Sequence, residues 1–227
     1  SNVCAGRMIW VMTPKISHAL QRKQHWEAVY SRKAPQETSW FQATPTTSLA
    51  MIHNAIQSGN TPLIDVGGGA SMLVDCLLDE GFKDVTVLDI AERALEQARR
   101  RLGPRSSEVQ WIEADVTRFE PRRTWRVWHD RAAFHFLTDA ADRKRYVEVL
   151  RKALAAGGHA VIAAFAMDGP EKCSGLDIVR YDAQSIGLEL GPDFELEEQR
   201  SDLHLTPAGT EQRFGFYRFR KVGQSGG

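Results

Sequence analysis

Leu63-Ile64-Asp65-Val66-Gly67-Gly68-Gly69-Ala70-Ser71 is a short apolar run that ends in an acid and three successive glycines. The apolar run predicts a buried strand. The glycines predict a tight turn in which the backbone, free of Cβ atoms, can approach a ligand closely. Ser71 to Glu80 then shows helical spacing, with Met72, Leu73, Cys76 and Leu77 on one face. The loop is not GxGxxG, because Met72 stands at the last glycine position, and no Gly-Lys-Ser/Thr follows to make a P-loop. A tight strand-to-helix turn with no ligand would use the same glycines.

The pattern repeats outward from this point. Val85 to Asp89 is a β-branched run, Ala91 to Leu102 favours helix, and Val109 to Glu113 is a third strand. Trp125 to Asp130 is a fourth strand, followed by a helix over Ala140 to Ala155 that Gly157-Gly158 breaks. His159 to Phe165 is a fifth strand, and Ala183 to Leu190 a helix. Glu195 to Leu205 and Phe214 to Val222 form a final antiparallel pair, joined through Thr206-Pro207-Ala208-Gly209. Strands that alternate with helices predict a doubly wound α/β domain with a mostly parallel sheet, covered on both faces. It occupies residues 24–222, between a flexible leader (1–23) and a frayed tail (223–227).

Ligands of such sheets sit beyond the carboxyl ends of the strands. Three strands in succession carry an acid there. Asp65 precedes the glycines. Asp89, 24 residues later, can accept both hydroxyls of a ribose or cap the following helix. Asp115, in Glu113-Ala114-Asp115-Val116, can meet an exocyclic amine or be a plain loop acid.

Composition narrows the function classes. The chain has 227 residues, with 29 Lys plus Arg against 29 Asp plus Glu, so its formal net charge is zero. That argues against a general nucleic-acid binder, which needs a basic excess. Arg99-Arg100-Arg101 is accordingly expected to be a solvated helix face. Cys4, Cys76 and Cys173 are too few and too scattered for a disulfide framework or a zinc ribbon, which points to a reducing, cytoplasmic setting. No apolar run approaches the ~20 residues that span a bilayer, and the opening residues lack a clear signal-peptide cleavage site.

On the residues Asp65-Val66-Gly67-Gly68-Gly69, Asp89 in Val87-Leu88-Asp89-Ile90, and Asp115 in Ala114-Asp115-Val116, the sequence resembles the class I S-adenosylmethionine-dependent methyltransferases. The resemblance extends over roughly Gln24 to Val222 and is strongest from Leu63 to Phe136. Ser71 stands where that family more often has its last loop glycine. The resemblance implies a Rossmann-like, seven-stranded sheet whose last strand is antiparallel. It implies S-adenosylmethionine as cofactor and S-adenosylhomocysteine as product. Asp65, Gly67 and Gly69 would border the methionine moiety, Asp89 the ribose, and Ile90, Asp115 and Val116 the adenine.

The fourth strand runs on into His129-Asp130-Arg131-Ala132-Ala133-Phe134-His135-Phe136. In the resembled family this region faces the methyl group, so His129 is expected beside the cofactor. Asp130 and His135 are the candidate general bases, Asp130 because it directly follows the strand core and His135 because its ordinary pKa of ~6.5 suits proton transfer. Alternatively, Asp130 pairs with Arg131 or caps a turn, and His135 packs between Phe134 and Phe136. The leader aromatics Trp26, Tyr30, Trp40 and Phe41 form either a lid over the cofactor, able to exclude water and attract a sulfonium, or an apolar helix on the sheet. The loop after Phe165 brings Cys173 to the carboxyl edge, as a site thiol or an inert one, with Arg180 and Tyr181 beyond it as possible anion contacts.

Four activities stay open: methyl transfer to a small-molecule thiol, amine or hydroxyl; methyl transfer to a protein lysine or N-terminus; cofactor binding without transfer; and nicotinamide-dependent redox chemistry on the same loop. A small-molecule partner is favoured because one compact domain leaves little chain for macromolecular recognition.

Overall fold

The computed structural model describes residues 17–56 and 58–223. The chain runs through α1 (His18–Arg32), α2 (Thr46–His53), β1 (Leu63–Val66), α3 (Leu73–Asp79), β2 (Val85–Asp89), α4 (Glu92–Leu102), β3 (Val109–Glu113) and β4 (Trp125–Arg131). It continues through α5 (Ala140–Ala153), β5 (Leu154–Phe165), a hairpin of β6 (Lys172–Cys173) and β7 (Leu176–Asp177), α6 (Ala183–Leu190), β8 (Phe194–Leu205) and β9 (Glu211–Lys221).

Seven strands form one sheet in the order β3-β2-β1-β4-β5-β9-β8. β1 to β5 are mutually parallel, and β9, the last strand of the chain, lies antiparallel between β5 and β8. This is the Rossmann-like sheet that the alternating pattern and the resemblance imply. The strand order reverses between β1 and β4, which opens a crevice at their carboxyl ends.

Two apolar layers cover the sheet. Side chains alternate across a strand, so Leu63 and Val127 join Leu73, Leu77 and Leu95 on one face. Ile64 and Trp128 join Tyr146, Leu150 and Ile186 on the other. Both faces of β1 are buried, which is why that strand is a continuous apolar run and not an alternating one.

Several boundaries differ from the sequence expectation. α1 starts at His18, six residues before residue 24, because the Ser17 hydroxyl accepts the amide of Leu20 at 3.3 Å and caps it. β5 starts at Leu154, so α5 ends at Ala153. Gly157 and Gly158 therefore lie inside a strand. They carry an irregularity where the pairing of β5 with β4 shifts register, and a Cβ on Gly158 would lie 2.9 Å from the carbonyl oxygens of Ala155 and Arg126. The first part of the expected leader, Cys4 included, and most of the expected tail lie outside the described residues. Of the two cysteines within them, Cys76 is half-buried and Cys173 buried, and neither is bonded to another. No helix among the described residues is long and apolar enough to cross a membrane.

Candidate functional site

A cavity opens at the carboxyl ends of β1, β2, β3 and β4. One end is lined by Asp89, Ile90, Ala114, Asp115 and Val116. The middle is lined by Gly67, Ala132 and Ala133, and the far end by Arg131, Phe165, Cys173, Gln212 and Phe214. Trp26 and Tyr30 of α1, Trp40 and Phe136 complete the wall.

Asp89 closes β2. Its Oδ1 accepts the amide of Ala91 at 2.8 Å in the turn before α4, whose N-cap is Ala91 and not Asp89. The side chain is nevertheless buried against the cavity. Burial raises its pKa to about 7; the backbone amide of Ala91 counteracts this, and the nearby charge of Asp65 adds to it. A Cβ at Gly69, where φ is +38°, would lie 2.6 Å from Asp89 Oδ2, so the glycine turn packs directly on this carboxylate. A buried acid with acceptor capacity facing a cavity fits a pair of ribose hydroxyls.

Asp115 has less capacity to spare. Oδ1 accepts from the amide and hydroxyl of Thr117 at 2.9 and 2.8 Å, and Oδ2 accepts from Arg22 Nη2 at 2.7 Å. A carboxylate offers about four lone-pair directions, which leaves room for one further donor. Ile90 and Val116 supply apolar flanks in the same part of the cavity.

Asp65 and His129 lie deeper. His129 Nδ1 and Asp65 Oδ1 are 2.7 Å apart, and His129 Nε2 is 2.9 Å from the hydroxyl of Ser48. Since an ionised carboxylate can only accept, Nδ1 carries the proton toward Asp65. All three side chains are buried and line a smaller adjoining cavity beneath Trp40 and Gly68. His129 thus backs Asp65 and does not line the main cavity.

The leader aromatics converge. Trp26 lies 4.9 Å from Phe136 and 5.7 Å from Trp40 between ring centroids, and Tyr30 lies 6.2 Å from Trp40. They form one wall of the cavity. The same residues also pack on Ala70, Ala91 and Ala94, while Phe41 lines the smaller adjoining cavity instead. α1 is held there by Arg22, which bridges Asp115 and Asp142, and by Glu27, whose carboxylate accepts the Glu92 amide at 2.7 Å and so caps α4.

The two expected bases are placed elsewhere. Asp130 is fully buried and points away from the cavity. Its carboxylate accepts from the amides of Ala133 at 2.8 Å and Phe134 at 3.1 Å, and from the Tyr146 hydroxyl at 2.6 Å. It braces the turn after β4 and is not free to meet a substrate. His135 is also fully buried. Nδ1 accepts the Phe165 amide at 3.3 Å, and burial, helped by the charge of Arg131, drives its pKa down to about 3. The ring stays neutral at ordinary pH and lies outside the cavity wall. The ring packs against Phe136 as the alternative had it, at 4.5 Å between centroids, and against Phe165 at 4.9 Å where Phe134 was expected.

Other expectations also shift. Arg180 pairs with Glu171, and Tyr181 is buried in the core, so neither lines the cavity. Arg101 is not a solvated residue. It pairs with Asp75 and donates to the carbonyls of Ala70 and Ser71, which tethers the glycine turn. Arg131, Gln212 and Phe214 line the cavity although nothing in their local sequence marks them; chain-distant strands bring them together.

Comparison with known proteins agrees with this geometry. Residues 63–158 match the family model described as a methyltransferase domain. The mouse eEF1A lysine and N-terminal methyltransferase is 27% identical over 130 residues, which cover 56% of this chain and 18% of that protein. Nodulation protein S of Sinorhizobium fredii is 30% identical over 104 residues, 46% of this chain and 47% of that protein. The chain thus spans under half the length of these curated relatives. Among solved structures, N-methyltransferase NodS of Bradyrhizobium japonicum, in complex with S-adenosylhomocysteine, superposes with a TM-score of 0.67 at 17% identity, covering 87% of this chain and 98% of that one. A SAM-dependent methyltransferase of Anabaena variabilis does so with a TM-score of 0.71 at 18% identity, covering 92% and 96%. Residues 63–158 thus match a methyltransferase domain, and the fold is one that the chain shares with these solved methyltransferases.

Proposed function

We propose that this chain transfers the methyl group of S-adenosylmethionine to a small-molecule nucleophile. The observation that carries the reading is the walled cavity that runs from Asp89 and Ile90 to Cys173 and Phe214 beneath the aromatics of α1. Cofactor and acceptor would share one chamber. In this reading Asp89 accepts the ribose hydroxyls, Ile90 and Val116 flank the adenine, and Asp115 accepts from its amine. Asp65, held by His129, and the backbone at Gly67 and Gly69 border the methionine end.

The cofactor supplies an electrophilic methyl group on a sulfonium. The chain's own residues orient the acceptor, exclude water and leave the transfer in line. With Asp130 and His135 both committed elsewhere, the acceptor brings its own lone pair. A thiolate or an unprotonated amine meets that need without a protein base; a hydroxyl does not. Trp26 and Trp40 give the sulfonium an aromatic wall.

The mouse relative supports a second reading, transfer to a protein lysine or N-terminus. Label from S-[methyl-³H]adenosylmethionine separates the two. Transfer to a thiol or amine in a metabolite panel supports the first, and transfer to protein in a cell lysate supports the second. Calorimetry should show S-adenosylhomocysteine binding in preference to NAD. Absence of transfer to either pool, with binding intact, would leave a cofactor-binding protein and sink both readings.

A further inference from the structure

Arg131, the last residue of β4, has a guanidinium half satisfied and half orphaned. Nη1 donates to the Trp40 carbonyl at 2.9 Å, and the group lies over the Phe214 ring, 4.6 Å from its centroid. Nε and Nη2 are buried and have no partner among the described residues. Among the described residues no carboxylate lies within ion-pair distance of it; Asp202 and Asp65 act only from farther away. Burial lowers its pKa to about 10, which still leaves it charged at neutral pH. A buried, unpaired cation is costly, and its natural remedy is an anion.

The pattern of the orphans narrows the anion. Nε–H and one Nη2–H lie parallel along one edge of the planar guanidinium, a fork that matches the two oxygens of a carboxylate. Arg131 lines the main cavity with Cys173 and Gln212, whose buried amide oxygen has no partner among the described residues, and also the smaller cavity with Asp65 and Gly67. Phe136, Phe165 and Phe214 make the rest of that part of the main cavity aromatic. Ala132, immediately after Arg131, has a φ of +71° in the left-handed region, a strained conformation for a residue with a Cβ. Such strain clusters where a neighbour must be held in place.

We propose that the methyl acceptor is a small molecule with a carboxylate and an apolar or aromatic body, and that the carboxylate seats on the Nε–Nη2 edge of Arg131. This rests on the small-molecule methyltransferase reading and adds the acceptor's anchoring group. The cofactor's own methionine carboxylate offers the same chemistry, so the test must tell the two apart.

Benzoate and its neutral counterpart benzamide are titrated into protein saturated with S-adenosylhomocysteine. Benzoate is expected to bind, and benzamide to bind at least about tenfold more weakly, the cost of one lost charge-assisted contact. Arg131→Met should abolish that preference while S-adenosylhomocysteine affinity stays within about threefold. Arg131→Lys keeps the charge but not the fork, should lose most of the preference, and serves if the methionine variant fails to fold. Equal binding of benzoate and benzamide to the natural chain overturns the proposal. So does a loss of about tenfold or more in S-adenosylhomocysteine affinity in either variant, which would assign the guanidinium to the cofactor. Failure of the natural chain to bind S-adenosylhomocysteine at all would instead remove the methyltransferase reading beneath it.

Discussion

Asp89 carries the clearest pH signature of any single residue. Its pKa of about 7 follows from burial, with Asp65 and Glu27 adding negative charge and Tyr30 facing it across the glycine turn. Hydroxyl donors of a ribose favour the ionised form. S-adenosylhomocysteine affinity is therefore expected to rise as pH climbs through about 7, with proton release at pH 6 visible as a buffer-dependent binding enthalpy. Asp89→Asn should flatten that dependence, and Asp89→Ala should weaken binding by about tenfold or more. Between the ordinary 3.8 and about 7 the folded chain holds a proton that the unfolded chain has released, so ligand-free stability should fall as pH rises through that window. Burial raises the Asp130 pKa as well, to about 6, but this side chain serves the fold and not the ligand. Removing an acceptor of three buried donors in Asp130→Ala should cost about 3 kcal/mol in denaturant unfolding. His135→Phe should lower kcat by less than about tenfold, against the 10²–10⁴ that a general base supplies. A larger loss would return His135 to the chemistry.

Among the elements, the turn between β1 and α3 tolerates least. A Cβ at Gly68 would lie 2.4 Å from Asp65 Oδ2 and 3.0 Å from Val87. Gly68→Ala should therefore destabilise by about 1–3 kcal/mol, measured in urea, and disturb the Asp65–His129 pair with it. α1 depends on a few polar ties. Arg22→Ala removes the bridge between Asp115 and Asp142 and leaves two partly buried carboxylates without it. Amide exchange in α1 should accelerate, by the equivalent of about 1–3 kcal/mol, while β1 and β4 stay protected. Unchanged exchange in α1 would show that Trp26 and Tyr30 hold the helix without the ion pair. Sequence patterning missed α2, which at eight residues has little room to display a helical period, and the two-residue strands β6 and β7.

For the molecule as a whole, the sheet was legible because its inner strands β1 and β2 are buried on both faces and followed by helices of ordinary period, and because β8 and β9 alternate as a hairpin. The acids Asp65, Asp89 and Asp115 were legible because each stands at the end of a recognisable strand. The roof was half legible. Trp26, Tyr30 and Trp40 stand out by type, yet their meeting with Phe136 over one cavity joins segments about a hundred residues apart. The glycine pair at 157–158 misled, since a glycine inside a bulged strand and a glycine that ends a helix look alike in sequence.

By itself the sequence determined the order of strands and helices, the glycine turn, and the acids at the strand ends, because those features rest on short-range periodicity and on the conformational freedom of glycine. Only the tertiary structure decided which neighbours on β4 reach the cavity. Asp130 and Arg131 are adjacent, and successive side chains on a strand point to opposite faces. One face met Tyr146 and the backbone of the following turn, which consumed the carboxylate. The other met Trp40, Phe214 and the cavity, which left a guanidinium edge uncommitted. What covers each face is supplied by residues far along the chain, and no local pattern records it.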